Sequence, residues 1–367
     1  MAEFNEIGAG RDPKLTVVEL CSAYLTYAKR YYVKNGRPTA QMDTVRRAIR
    51  LANKLYGQAR VVDFGPLALR AVQEHMVKNP VVHPITKQQS AYSRSTINST
   101  CGAVKRMFKW GVSVELIPVA VHQALTTVPG LKKGRTPARE PKPIRPVAEE
   151  VVDVTLPHLS PVVADMVRFQ RLTGARPGEV CQLRPMDLER GGKVWQYRPE
   201  SHKTEHHGRE RIVFIGPKAQ GILLPYLLRA ADAYCFSPAE SENKRHAELR
   251  RRRKTRVQPS QQNRRKRHAR RSPSTQYRKD AYRGAIVKAV AKANRKAAEE
   301  AAPIGAEPVL LPNWHPNQLR HSAATDIRRR YGLEAAQVIL GHAKADITQV
   351  YAERDYGLAA AVMEKIG

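Results

Sequence analysis

Two arginines, a lysine, a histidine and a tyrosine spread over residues 176–351 of the 367-residue chain could act together on a phosphodiester. Breaking such a bond takes a nucleophile, cations for the non-bridging oxygens and a proton for the departing alkoxide. Arg176 and Arg320 suit the second task, because a guanidinium is permanently charged and its planar fork matches paired phosphate oxygens. Lys203 is a compact, movable cation that can donate the proton. His342 can assist through a hydrogen bond, and Tyr351 can attack. An unperturbed phenol titrates near pH 10, so ionising it at pH 7 costs roughly 4 kcal/mol. Two neighbouring arginines offset much of that. No cluster of carboxylates points to a catalytic metal, so neither a metal nor any other cofactor is expected.

These groups need elements to hold them. Helices are expected over 318–331 and 333–340, with Gly341 as the residue that ends the second. His342 then follows a helix end, and Asp346 can cap a third helix carrying Thr348 and Tyr351. Arg176 falls on a turn in LTGARPGEVCQL, between a helix over 160–173 and another starting at Glu179. Lys203 falls at the polar tip of a hairpin built from KVWQYRP and RERIVFIG. Further helices are expected over 148–154, 217–231 and 277–300.

Upstream lies a loose tail over 1–12, then helices over 15–33, 42–56, 66–76 and 94–112. In the last of these Ile97, Val104, Met107, Phe108 and Trp110 form a core side, while Lys105, Arg106 and Lys109 face solvent or phosphate. Residues 116–147 turn Pro-rich and basic and read as an extended linker. The expected organisation is a helical domain over 13–130, a linker over 131–147 and a catalytic domain over 148–367. Within it, 235–274 is a basic insertion: 14 of the 28 residues from 244 to 271 are Lys or Arg, a run that is disordered or becomes helical on a polyanion. The fold class is mainly α, an all-helical domain joined to a mixed helical domain with a small antiparallel sheet.

A net charge of +31 implies a polyanionic partner, with nucleic acid the first choice. A ribosomal or RNA-coating protein would share that charge, but such chains are usually shorter and simpler. The four cysteines are far apart and form neither a zinc site nor a disulfide framework. No apolar run approaches a membrane span and the first residues lack a signal peptide's apolar core, so a cytoplasmic, nucleoid-associated protein is expected.

Four ordered segments carry a family resemblance: TGARPGEVCQL, HKTEHHGRERIVFIG, NQLRHSAATDI and LGHAKADITQVY. They resemble the catalytic boxes of the tyrosine recombinases, the phage-integrase family, over about residues 148–356. The upstream helices are similar to that family's core-binding domain. The resemblance implies that Arg176 and Arg320 clamp the scissile phosphate, that Lys203 protonates the 5′ oxygen and that Tyr351 forms a 3′-phosphotyrosyl link. It makes His342 the second histidine-type position and Glu179 a support for the first arginine. It also implies a homotetramer on two double-stranded DNA sites, with room for accessory DNA-bending proteins. One position departs from the pattern: Asn317 stands where the family usually has histidine. Asn can donate a hydrogen bond to phosphate but cannot exchange a proton near neutral pH. Asn317 is also a candidate helix N-cap, His315 a candidate substitute, and His321 a packing or orienting residue. The rival functions are a DNA-binding accessory protein with a weakened site and a DNA-relaxing enzyme resembling type IB topoisomerases.

Overall fold

The computed structural model describes residues 14–34, 36–82, 89–200, 210–256, 258–259 and 274–341. The chain divides into two compact units, residues 1–142 and 143–367.

The first unit is built from helices α1 (Val17–Tyr31), α2 (Gln41–Tyr56), α3 (Pro66–Lys78), α4 (Arg94–Ser113) and α5 (Val119–Thr126). Short antiparallel pairs β1–β2 (Val33–Lys34, Arg37–Pro38) and β3–β4 (Val81–Val82, Gln89–Ser90) join them. Apolar residues at helical spacing explain the packing: α2 buries Met42, Val45, Ala48, Leu51 and Ala52 on one stripe. Helix α4 buries Ile97, Val104, Met107, Phe108 and Trp110, the face expected from its sequence. Its first turn is capped by Ser93, whose hydroxyl accepts from the Thr96 amide at 3.2 Å. Phe64 stacks on Phe108 at 4.9 Å between ring centres, inside a core that also holds Leu20 and Leu69.

The Pro-rich stretch holds no helix or strand from 127 to 148. It is nevertheless docked. The Asn98 side chain donates to the Leu131 carbonyl at 3.0 Å and accepts from its amide at 2.7 Å. Arg94 pairs with Glu140, and Ala138 is buried. On the other side, Ser322 exchanges hydrogen bonds with both backbone groups of Val147, and Gln318 donates to the Arg145 carbonyl. The start of the stretch is helical, as α5.

The second unit contains α6 (Glu149–Thr155), α7 (Pro161–Thr173), α8 (Pro177–Gln182), α9 (Pro217–Leu227), α10 (Pro238–Arg251), α11 (Lys279–Ala301) and α12 (Pro316–Leu340). A three-stranded antiparallel sheet runs in the order β5 (Leu188–Glu189), β6 (Trp195–Tyr197), β7 (Val213–Ile215). Its core holds Phe169, Tyr197, Phe236, Tyr282 and Trp314. Helix α12 is two helices meeting at Gly332, whose backbone is non-helical, which matches the expected break between 331 and 333. The basic insertion is helical over α10. That helix is anchored where Ser241 bonds Ser160 at 2.8 Å and Glu240 pairs with Arg229 at 3.2 Å. Among the described residues no helix is long and apolar enough to cross a membrane.

Candidate active site

The turn carrying Arg176 is set by its neighbours. Helix α7 ends at Gly174, whose φ of 61° is the left-handed conformation that glycine adopts without penalty. Arg176 is the extended residue before α8, and Pro177 begins that helix with a fixed φ. Glu179, in the first turn, reaches back: its Oε2 accepts the Arg176 amide at 2.8 Å and its Oε1 accepts the Arg176 guanidinium at 2.8 Å. The Arg176 side chain keeps 22% of its surface exposed, whereas Glu179 keeps 3%.

Arg320 comes to the same turn from α12. It is fully buried, and its guanidinium donates to the Gly174 carbonyl at 2.7 Å and to the Leu340 carbonyl at 2.6 Å. Gln170, also fully buried, donates to the carbonyls of Ala175 and Pro316 at 3.0 Å each, and Tyr282 donates to its amide oxygen at 3.0 Å. The turn is therefore tied to both ends of α12. The carbonyls at a helix C-terminus lack intrahelical donors and sit at the negative end of the helix dipole, so cations are favoured there. Arg320 serves Leu340, and Arg211 serves Ile339 at 3.2 Å.

Arg211 is the residue that sequence reasoning passed over. Its side chain is 2% exposed and contacts both oxygens of Glu179, through Nε to Oε1 at 3.2 Å and through a terminal nitrogen to Oε2 at 3.3 Å. Burial by itself would raise the Glu179 carboxyl, but Arg211 and then Arg176 outweigh it and hold it down at about 2. The signal was present in RERIVFIG. Arg211 shares the inward parity of Val213 and Ile215, both fully buried, and a charge on that face calls for a buried partner. Gln170 gives a similar signal, on the buried face of α7 with Val163, Met166 and Val167.

Asn317 is the second residue of α12 and is half-buried. It is not the N-cap. That position is taken by His315, whose amide donates to the Gln318 side chain at 3.1 Å, because Pro316 starts the helix one residue before Asn317. The His315 ring is lowered below its ordinary pKa by burial and by the nearby Arg283. His321 is buried. Gly341 ends α12 at φ 63°, as its sequence position implied. Lys203, His342, Tyr351, the expected third helix after Asp346 and the apolar end over 358–366 lie outside the described residues. In the first unit, Arg106 and Lys109 are exposed, whereas the Lys105 ammonium donates to the Val128 carbonyl at 2.5 Å.

The arrangement can hold permanent positive charge on one turn and the helix packed against it. Among the described residues, no group of three His, Cys, Asp or Glu side chains could hold a metal ion.

The phage integrase family profile matches residues 158–357, which takes in every candidate catalytic residue. Among curated proteins, none matches the sequence significantly. Among solved structures, the chain is similar to the Tn1549 transposon integrase in complex with transposon right-end DNA. That match has a TM-score of 0.57 at 15% identity and covers 96% of this chain and 99% of the other. It is similar to a lambda integrase dimer bound to a COC′ core site, with a TM-score of 0.57 at 13% identity over 92% of this chain and 77% of the other. It is also similar to the XerH recombinase bound to palindromic difH substrate, with a TM-score of 0.52 at 12% identity over 97% and 98%. At these identities the likeness is one of fold.

Proposed function

The chain belongs to the phage integrase family and is a tyrosine-type site-specific DNA recombinase, and from that premise we propose how its own residues divide the work. Tyr351 attacks the scissile phosphorus of a duplex. The phosphorus–O5′ bond breaks, a 3′-phosphotyrosyl ester forms, and the departing O5′ takes a proton from Lys203. A 5′ hydroxyl then attacks the ester, frees the tyrosine and rejoins the strand. Arg176 and Arg320 neutralise the non-bridging oxygens, with Asn317 and His342 adding hydrogen bonds. Four protomers act on two sites, and the protein works with the nucleoid.

One observation carries this reading. Arg320 donates to the carbonyl of Gly174, 146 residues away in sequence and two residues before Arg176. A fold that brings two arginines to one turn builds a receptor for a doubly contacted anion. Arg320 has no exposed surface, so a phosphate gains its guanidinium only as the site opens, and DNA engagement and opening are one step.

The departure at Asn317 shapes the chemistry. An amide stabilises the phosphorane but relays no proton, so acid–base work falls on Lys203 and His342. His315 occupies the N-cap of α12, its amide donating to Gln318, which supports a structural part at the helix start.

The test is incubation with nicked suicide duplexes from the element that encodes the protein, resolved on a denaturing gel. A covalent adduct is expected, absent in Tyr351→Phe. An equal adduct in that variant removes Tyr351 as nucleophile. Tight binding without any adduct points to an accessory DNA-binding protein, and plasmid relaxation without site preference to a topoisomerase. Asn317→His is expected to speed cleavage.

A further inference from the structure

We propose that Arg211 is a positioning residue for the recombination reaction: by filling half of Glu179's acceptor sites, it keeps the Arg176 guanidinium from closing onto that carboxylate. This rests on the reading that Arg176 contacts the scissile phosphate.

An ionised carboxylate offers about four lone-pair positions on two oxygens. In Glu179 each oxygen receives two donors. Oε1 takes the Arg176 NH1 at 2.8 Å and the Arg211 Nε at 3.2 Å. Oε2 takes the Arg176 amide at 2.8 Å and an Arg211 terminal nitrogen at 3.3 Å. Arg176 thus has a single guanidinium nitrogen on Glu179, and the side-on, two-nitrogen pairing that arginine and carboxylate favour belongs to Arg211. Were Arg211 absent, a buried carboxylate beside one half-buried arginine would draw in both arms of its fork. The cation meant for a phosphate would then be spent on a side chain.

Arg211 has a second hold. A terminal nitrogen donates to the carbonyls of Ile212 at 2.9 Å and Ile339 at 3.2 Å. The same guanidinium therefore joins the support of Arg176 to the last turn of α12, the helix that carries Arg320. Gly341 makes room for it. A Cβ there would lie 2.5 Å from an Arg211 terminal nitrogen, on a backbone with φ of 63°. Any side chain at 341 would push Arg211 off its partners. The low Glu179 carboxyl pKa, which owes more to Arg211 than to Arg176, agrees with this division.

Lysine keeps the charge of Arg211 but cannot fork onto two oxygens and a carbonyl. Arg211→Lys is therefore expected to cut single-turnover cleavage of a suicide duplex at saturating DNA about 10- to 100-fold, while its Kd for the duplex changes less than about 3-fold. Adding Glu179→Gln to Arg211→Met removes both charges, leaving an amide that makes one bond to Arg176. That double variant is expected to cleave faster than Arg211→Met alone. In Arg211→Met alone Glu179 protonates at higher pH than in the parent, and cleavage relative to the parent is expected to recover on the acid side, because the neutral carboxyl, like Gln, releases Arg176. Cleavage by Arg211→Lys at the parental rate overturns the proposal. So does a loss in the double variant equal to the loss in Arg211→Met. If Arg211→Met does not fold, Arg211→Lys decides alone, with its melting transition as the folding control. A parent that binds duplex but forms no adduct overturns the function itself, and the positioning role with it.

Discussion

The two units are stabilised by different means. In the first, the buried side chains are apolar apart from Gln73, Ser93 and Thr100, and no ionised group is buried among its described residues. In the second, Gln170, Glu179, Arg211, Arg320 and His321 are buried together with the apolar core. Burying a charge costs several kcal/mol unless a partner and hydrogen bonds compensate, and apolar replacement of such pairs is often neutral for stability. On the proposed reading, a helical unit that presents a basic face needs no such network, whereas the second unit accepts it because Arg176, held through its amide and one guanidinium nitrogen by Glu179, stays oriented for the anion it is to meet.

That contrast can be broken by experiment. The largest expected effect is from Arg320→Ala, which removes a proposed phosphate ligand and leaves two buried carbonyls without their donor. Cleavage should fall about 10²- to 10³-fold and stability by about 2–6 kcal/mol, read by suicide-substrate gels and urea titration. Phe108→Ala should cost a comparable 3–5 kcal/mol or about that, yet leave the cleavage rate at saturating DNA near the parent's. Equal losses of cleavage in both variants would show that the units do not separate.

Acid should distinguish them next. Glu179 is held down at about 2, below the ordinary carboxyl value of 4.5, so its contribution is complete above about pH 4.5 and lost as pH falls toward 2. Over that window, hydrogen-exchange protection around α8 and β7 should drop by up to about 3 kcal/mol, ahead of α1–α4. Simultaneous loss in both units would remove Glu179 as the cause.

The smallest effects lie on α4. Arg106→Ala and Lys109→Ala should each flatten the salt dependence of duplex binding by about 0.9 in log–log slope. Lys105→Ala should leave the slope unchanged, because its ammonium is already committed to the Val128 carbonyl. A slope change in Lys105→Ala equal to the others would return it to the phosphate face.

Much of the fold is legible residue by residue. The α4 stripe from Ile97 to Trp110, the stop at Gly341 and the break at Gly332 follow from helical periodicity and from glycine's tolerance of positive φ. The resemblance of the four boxes points to Arg176 and Arg320, and the structure brings Arg320 to the Gly174 carbonyl two residues before Arg176. The N-cap of α12 was misplaced by two residues because proline's preference for the first helical position outranks asparagine's for the cap. The Pro-rich stretch reads as a free tether because its composition cannot form helix or strand, yet Asn98 and Ser322 hold parts of it by hydrogen bonds to its backbone.

The sequence by itself determined the apolar stripe of α4, the breaks at Gly332 and Gly341, which residues are cations, and where the family's histidine is replaced by Asn317. These depend on neighbours within a turn or two. Only the tertiary structure decided which groups meet: that Arg211 shares Glu179 with Arg176, that Arg320 donates to the carbonyls of Gly174 and Leu340, and that Gln170 ties the turn to Pro316. A buried charge takes whichever partner the packing brings within about 3 Å, and that choice is made by contacts between segments 20 to 146 residues apart.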